Sequence, residues 1–466
     1  MAETVEPSLL QPIANNRQAA RIVWALAWPA VALNSLQVIN TLLDRFFVGH
    51  LPQSSLTALG GATSVMFLMF SLAMALSTGA TAIVARAYGA DNYSEFRAAS
   101  RQAFGMAWMG GIVVSGITIF LSGILAKAML KQSDAESIHI MSRFIVAYGF
   151  GLPAIFVIQT LAGSLRGIGD TKSPMVISGI QILLHIVLNF LLIFPSHQIG
   201  NLVIPGANLG VVGAATALSS SAWVSAIIYV IYSGRTPLGQ ASILLLPSLD
   251  WMKRILRVAV PAATMAVLRV LSLSVFTFLL NYVPNGSVAI AALPIAFGIE
   301  SIMFMPSFGL AVAASALVGQ SLGMEDPNRA ERLGWTASHH GALVTLFLSL
   351  PIFAFAPQIC SIILQDKPDL ILETVRFLRL LCLTEVLFAY AMVIVGAMQG
   401  AGDTKRPLWI SVASLWGIRV PLAWLLALGF GLGSYGAWIS MSLTQGIQGI
   451  LCLIAFKQGK WKTAQV

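Results

Sequence analysis

Apolar stretches of roughly 20 residues, separated by short polar breaks, run along almost the whole chain. A helix of that length crosses the hydrocarbon core of a bilayer. The pattern predicts about twelve spans. In the first half they fall at 22–48, 56–84, 102–126, 138–164, 174–195 and 209–233. In the second they fall at 255–282, 287–317, 335–363, 372–398, 407–430 and 434–456. The expected organisation is a cytosolic tail at 1–21, a six-helix bundle at 22–233, a cytosolic linker at 234–254, a second six-helix bundle at 255–456 and a tail at 457–466. The predicted class is an all-α membrane protein.

The two halves are copies of one another. Gly167-Ile168-Gly169-Asp170-Thr171-Lys172-Ser173-Pro174 returns as Gly400-Ala401-Gly402-Asp403-Thr404-Lys405-Arg406-Pro407. Pro29 and Pro261 form a second matched pair, and the runs ending at Gly89 and Gly323 a third. Three anchors in one order at nearly the same offset identify a duplication. Six spans per copy leave both copies in the same orientation, a parallel repeat. The loop glycines are expected to permit a sharp turn, and Asp170 and Asp403 to cap the helices that follow. Arg166, one residue before Gly167, belongs to the same motif.

Composition agrees with a membrane protein. Hydrophobic residues make up 57% and charged residues 10%, against about 25% charged in soluble domains. Lysine and arginine outnumber acids 27 to 18. They cluster in the loops after even spans, at Arg86, Arg97, Arg101, Lys172, Arg254 and Lys405, while the odd loops hold little more than Lys127, Lys131 and Lys367. Basic loops stay in the cytoplasm, so both termini are expected there, with the chain in a bacterial inner membrane. The net charge of +9 then reflects topology and affinity for anionic lipid, and no nucleic-acid partner is expected. Cys360, Cys382 and Cys452 are far apart in sequence and predict neither disulfide nor metal site.

Polar groups inside spans are the candidate chemistry. Asn34, Gln37, Thr41 and Asp44 repeat at helical spacing on one face, with Asn40 beside them. A carboxylate at membrane depth can exchange a proton; the plainer alternative pairs Asp44 with Arg45. His185 and Asn189 are four apart in span five, where the histidine is a packing residue or a proton group. The second half differs: Arg269 stands where Gln37 does and Phe276 where Asp44 does. Arg269 and Glu300 are expected to pair with each other, or else one of them binds substrate or ion. Glu385 and Arg419 are further embedded charges, Arg419 being expected to brace a helix bent at Pro421. Two short matches carry no chemistry: Gly319-x-Ser321-x-Gly323 ends a membrane helix, and no strand precedes Gly431-x-Gly433.

The duplicated plan, the Leu165–Lys172 motif with its second copy, and the paired prolines resemble the multidrug and toxic compound extrusion (MATE) transporters across nearly the whole chain. Within that family the chain looks most like the DinF branch, which places an aspartate fifteen residues after the first-span proline, as Pro29 and Asp44 are here. The resemblance implies two six-helix bundles around a central cavity. It also implies export of small organic, often cationic, compounds against an inward flow of protons or sodium. Asp44 becomes the expected coupling carboxylate, assisted by His185 and Asn189. The cavity is expected to use Asn34, Gln37, Asn40, Met66, Phe70, Arg269, Glu300 and Met303. Relatives often carry Asn-x-x-x-Asp in span five, whereas this chain has His185 and Asn189. The missing carboxylate favours proton over sodium coupling. No enzyme activity and no cofactor are expected, and a monomer is the expected state. The rival reading is a flippase for a lipid-linked or amphiphilic substrate, which a large basic cavity would favour; Arg269 and Arg419 are its only candidates. A membrane enzyme would need a clustered catalytic set, and a channel a selectivity ring; the sequence shows neither.

Overall fold

The computed structural model describes residues 13, 15–49, 51–130, 134–199, 202–239, 246–365 and 367–465. Most of the expected tail at 1–21, part of the linker at 234–254, and Lys131 lie outside the described residues, as does the side chain of Arg45. Among the described residues, twelve helices are long and apolar enough to cross a membrane. In the first half they are α1 (Asn16–Gly49), α2 (Gln53–Gly89), α3 (Tyr93–Phe120), α5 (Ala135–Gly167), α6 (Lys172–Ile193) and α7 (Gly210–Ser233). A short α4 (Ser122–Met129) follows α3. In the second half they are α8 (Leu249–Leu280), α9 (Gly286–Gly323), α10 (Pro327–Ala354), α12 (Pro368–Gly400), the composite span Lys405–Gly429, and α15 (Gly433–Lys457). A short α11 (Ala356–Leu364) follows α10, at the matching place in the repeat. Spans three and nine begin earlier than the apolar pattern predicts, because amphipathic turns carrying Glu95, Arg97, Arg101 and Arg329 continue their helices outside the hydrocarbon.

The break between spans five and six is a hairpin of β1 (Pro195–Ile199) and β2 (Leu202–Ala207). Its strands are antiparallel, with Pro195 opposite Ala207 and Ile199 opposite Leu202.

The chain forms two compact units. One holds residues 32–263; the other holds the described residues up to Val31 together with 264 onward. The division falls inside α1 and α8, two residues past Pro29 and Pro261, and not in the 234–254 segment. Residues 249–263 therefore pack in the first unit: a Cβ on Gly79 would lie 2.8 Å from the Ile255 carbonyl oxygen, and Arg254 donates to Glu95 at 2.7 Å. The first half of α1 packs in the second unit, where Ala19, Val23 and Leu26 share a core with Leu310, Leu317 and Val393.

Small residues bring helices together within each unit. A Cβ on Gly163 of α5 would lie 2.8 Å from the Ser77 carbonyl of α2. A Cβ on Gly396 of α12 would lie 2.5 Å from the Ala311 carbonyl of α9. Without a hydrophobic force between helices in lipid, such close backbone contact drives packing. The repeated loops take matching shapes: Gly169 has φ +90° and Gly402 φ +88°, a region open to glycine at little cost. Asp170 accepts the Ser173 amide at 3.0 Å and Asp403 the Arg406 amide at 3.3 Å, and Asp403 also pairs with the Arg406 guanidinium. Arg166 donates to Ser77 Oγ at 3.0 Å, tying this loop to α2.

Span eleven is irregular. It runs as α13 (Lys405–Val412), a π-helical stretch Ala413–Arg419, α14 (Val420–Trp424) and a second π stretch Leu425–Gly429. Pro421 lacks an amide hydrogen and widens the turn before it. The expectation that the Arg419 side chain braces this bend is not met: it is the Arg419 carbonyl that accepts Ser440 Oγ of α15 at 2.8 Å.

Phe276, the counterpart of Asp44, is buried core. It lies against Trp438, whose ring stacks on Phe377 at 4.1 Å and whose Nε1 donates to Glu373 at 2.6 Å. Trp438→Phe keeps most of the packing and strands the Glu373 carboxylate. It is expected to cost about 1–3 kcal/mol, read as a lower thermal-unfolding midpoint of the purified protein in detergent.

Candidate functional site

In the first unit, the polar residues of α1 and α6 converge. Asn40 and Asp44 are one turn apart on α1, and His185 and Asn189 are one turn apart on α6. Asp44 Oδ1 accepts Asn189 Nδ2 at 2.7 Å, and Asp44 Oδ2 accepts Asn40 Nδ2 at 3.3 Å. His185 Nδ1 lies 3.2 Å from Asn40 Oδ1 and 3.8 Å from Asp44 Oδ1. The ring also bonds the Ala214 backbone on α7. His185 is almost fully buried, whereas the Asp44 side chain is 32% exposed. Of the two titratable members of the cluster, the carboxylate is the one with accessible surface.

Hydrogen-bond accounting gives this cluster two consistent patterns. With Asp44 ionised, the Asn40 amide donates to it, and Asn40 Oδ1 accepts a hydrogen from His185 Nδ1 of an imidazolium, whose other N–H is given to the Ala214 backbone. With Asp44 protonated, the Asn40 amide turns over. Its oxygen then accepts the Asp44 hydrogen, and its NH2 donates to a bare His185 Nδ1. Asn40 thus links the two titratable groups, a role its position beside the polar stripe did not suggest. The stripe itself is divided: Asn34 is buried with Nδ2 unpartnered, while Gln37 and Thr41 are exposed and Thr41 donates to the Gln37 carbonyl. Met66 and Phe70 are half-buried on α2, and the Met66 carbonyl accepts Tyr148 Oη at 3.4 Å.

The second unit holds a different cluster. Glu300 of α9 accepts Gln445 Nε2 of α15 at 3.0 Å. Glu385 of α12 reaches Glu300, and Arg419 lies close enough to Glu300 for electrostatic attraction. One turn along, Cys382 Sγ contacts Met303 Sδ at 3.8 Å, joining the same two helix faces. Glu385 is fully buried and neither carboxyl oxygen has a hydrogen-bond donor geometrically placed for it; Gln445 Oε1 and Arg419 Nε are also unpartnered. Such groups are rare in a protein interior because each forfeits its solvation. Two carboxyls meeting there can share a proton or hold a cation.

Two expectations for this half fail. Arg269 does not pair with Glu300: it is exposed on α8, with no carboxylate within ion-pair distance among the described residues, and Glu300 bonds Gln445 instead. Met303 is fully buried against Cys382 and lines no open cavity. The alignment of Arg269 with Gln37 does not bring it to Glu300, although it lies near enough to Arg419 for their charges to interact, and sequence spacing does not show that Glu385 comes to Glu300 from the next even span. Among the described residues, no group of histidine, cysteine, aspartate and glutamate is arranged to hold a metal ion.

Comparison with known proteins agrees with this architecture. The MatE family profile matches residues 29–191 and 261–425, once in each repeat. The chain is 30% identical to a probable multidrug resistance protein NorM of Thermotoga maritima, over 95% of this chain and 93% of that one. It is 25% identical to the multidrug resistance protein MdtK of Yersinia pseudotuberculosis, over 94% and 95%. A solved structure of a multidrug resistance MATE family transporter of the MOP superfamily, in an outward-facing conformation, superposes with a TM-score of 0.87. It shares 21% identity and covers 98% of both chains.

Proposed function

Because the chain belongs to the MatE family of membrane transporters and is not an enzyme, we propose that it is a multidrug exporter that exchanges protons for small organic cations by alternating access. Its multi-pass course and the names of its relatives support efflux of small molecules. The observation that carries proton coupling is the Asp44 cluster: a carboxylate one-third exposed, held by Asn40 and Asn189, beside an imidazole. The cluster contains one carboxylate in all, Asp44 itself. That is a poor match for sodium, which favours several oxygen ligands, and a sufficient one for a proton. The placement of Lys and Arg supports a bacterial inner-membrane location with both termini in the cytoplasm.

In this reading a proton from outside neutralises Asp44, the attraction for a cationic substrate falls, and the substrate leaves. After the protein turns inward the proton departs and the restored charge takes up the next cation. Each ligand must favour one state over the other, or no net transport results. Reconstitution into liposomes tests this directly. Efflux of a fluorescent organic cation is expected under an imposed proton gradient and not under a sodium gradient alone. Efflux driven by sodium alone would replace the proton as coupling ion.

The unpartnered oxygens of Glu385 favour a second reading, in which the Glu300–Glu385 pair takes the coupling cation. Under it, Glu385→Gln stops gradient-driven efflux and Asp44→Asn does not.

A further inference from the structure

The first unit carries a groove that neither the Asp44 cluster nor the repeat motifs use. It lies between α5 and α7 and has a volume of about 470 Å³. The two helices run in the same direction there: Ser219 Oγ donates to the Ala147 carbonyl at 2.7 Å, and further along Trp223 Nε1 donates to the Phe150 carbonyl at 2.9 Å. Arg143 stands at one end of the groove and Trp223 and Phe150 at the other, with Ser142, Thr216 and Ser220 between. Arg143 is exposed and Ser220 half-buried, and neither side chain has a hydrogen bond or ion pair among the described residues.

The long dimension of α5 sets the depth. Its 33 residues span about 50 Å at 1.5 Å per residue, against a hydrocarbon core of about 30 Å. The first turns therefore stand in the headgroup layer, and Arg143, eight residues from Ala135, lies near the hydrocarbon boundary. This is the leaflet on the side of the loops with few cations. Going inward, the groove presents a guanidinium, then hydroxyls, then two aromatic faces. A phospholipid presents a phosphate, then ester carbonyls, then acyl chains, in the same order. A solitary snorkelling arginine needs only a stem along the helix surface; it needs neither a groove below it nor an unused hydroxyl donor in line.

We propose that this groove is a binding site for an anionic phospholipid, with the phosphate at Arg143, an ester carbonyl at Ser220 and an acyl chain along Phe150 and Trp223. Arg143 supplies the charge preference, and the aromatic end supplies contact that does not depend on the headgroup.

The test uses the full chain in vesicles of phosphatidylcholine doped with acyl-brominated phosphatidylglycerol, or with acyl-brominated phosphatidylcholine. Bromine quenches tryptophan at short range, and subtracting the signal of Trp223→Phe isolates Trp223 from the other tryptophans. Wild type is expected to show about a fivefold preference for the phosphatidylglycerol, the size of one cation–headgroup contact near the surface. Arg143→Gln is expected to reduce the ratio to about one with an unchanged unfolding midpoint, and Arg143→Lys to retain part of it. Equal quenching of wild-type Trp223 by the two lipids would overturn the proposal, whatever the variants do. So would a preference that survives in Arg143→Gln.

Discussion

Asp44→Asn is expected to stop gradient-driven export while leaving a folded protein. The substitution is nearly isosteric and removes the ability to ionise. Asn189 Nδ2 still finds an oxygen to donate to, and the Asn40 amide turns over to meet the new NH2 group. The thermal midpoint should therefore change little, by the equivalent of about 1 kcal/mol or less. Transport changes in kind. A one-unit proton gradient is worth about 1.4 kcal/mol per proton, a tenfold concentration ratio of substrate for each coupled proton. Wild-type liposomes should build toward that ratio, and Asp44→Asn liposomes should remain at a ratio of about one. Wild-type accumulation by Asp44→Asn would remove Asp44 from the mechanism. His185→Ala separates the two titratable members. If Asn40 links them, this variant alters the pH dependence of export; an unchanged profile reduces His185 to a packing residue.

The largest effect on folding is expected at Gly400. A methyl group there would strike the Ser315 carbonyl and its Cα on α9. The colliding atoms belong to backbone in the middle of a helix, so no side-chain rotation relieves the contact. Gly396, one turn earlier, faces the Ala311 carbonyl in the same way. Gly400→Ala is therefore expected to cost about 3 kcal/mol, the upper part of the range for overpacking. It should sharply lower the yield of folded protein and the unfolding midpoint. Gly298→Ala is the control. It lies on α9, the helix that Gly400 of α12 faces, with nothing within 4 Å of its built Cβ, and replacing glycine within a helix there should be neutral or stabilising by up to about 1 kcal/mol. Equal midpoints for the two variants would show that α9 and α12 do not depend on backbone contact at Gly400.

Both predictions rest on residues whose identity was plain in the sequence and whose partners were not. Asp44 stood out because a carboxylate in an apolar span is costly wherever it points. Gly400 stood out because its motif occurs twice. Neither feature names what lies opposite. Asn40 joins Asp44 to His185 because α6 approaches α1 at that level, a distance no helical periodicity contains. Glu385 meets Glu300 because α9 and α12 pack closely over small residues, and the register of that packing follows from shapes spread across both helices. Arg269 misled for the same reason: its alignment with Gln37 is a fact about ancestry, while the direction its side chain takes is a fact about packing.

What the sequence determined by itself was the number of spans, the duplication, the membrane setting and the family, all of which follow from local apolar length, repeated motifs and charge placement. The tertiary structure decided which polar residues become partners. It also decided that each compact unit takes the opening turns of the other repeat's first helix, and that span eleven loosens around Pro421, where the Arg419 carbonyl accepts Ser440 Oγ. The physical reason is one of range. Transfer into lipid is settled residue by residue along the chain, whereas hydrogen bonds and backbone contact at 2–4 Å depend on which helices are neighbours and at what height they meet.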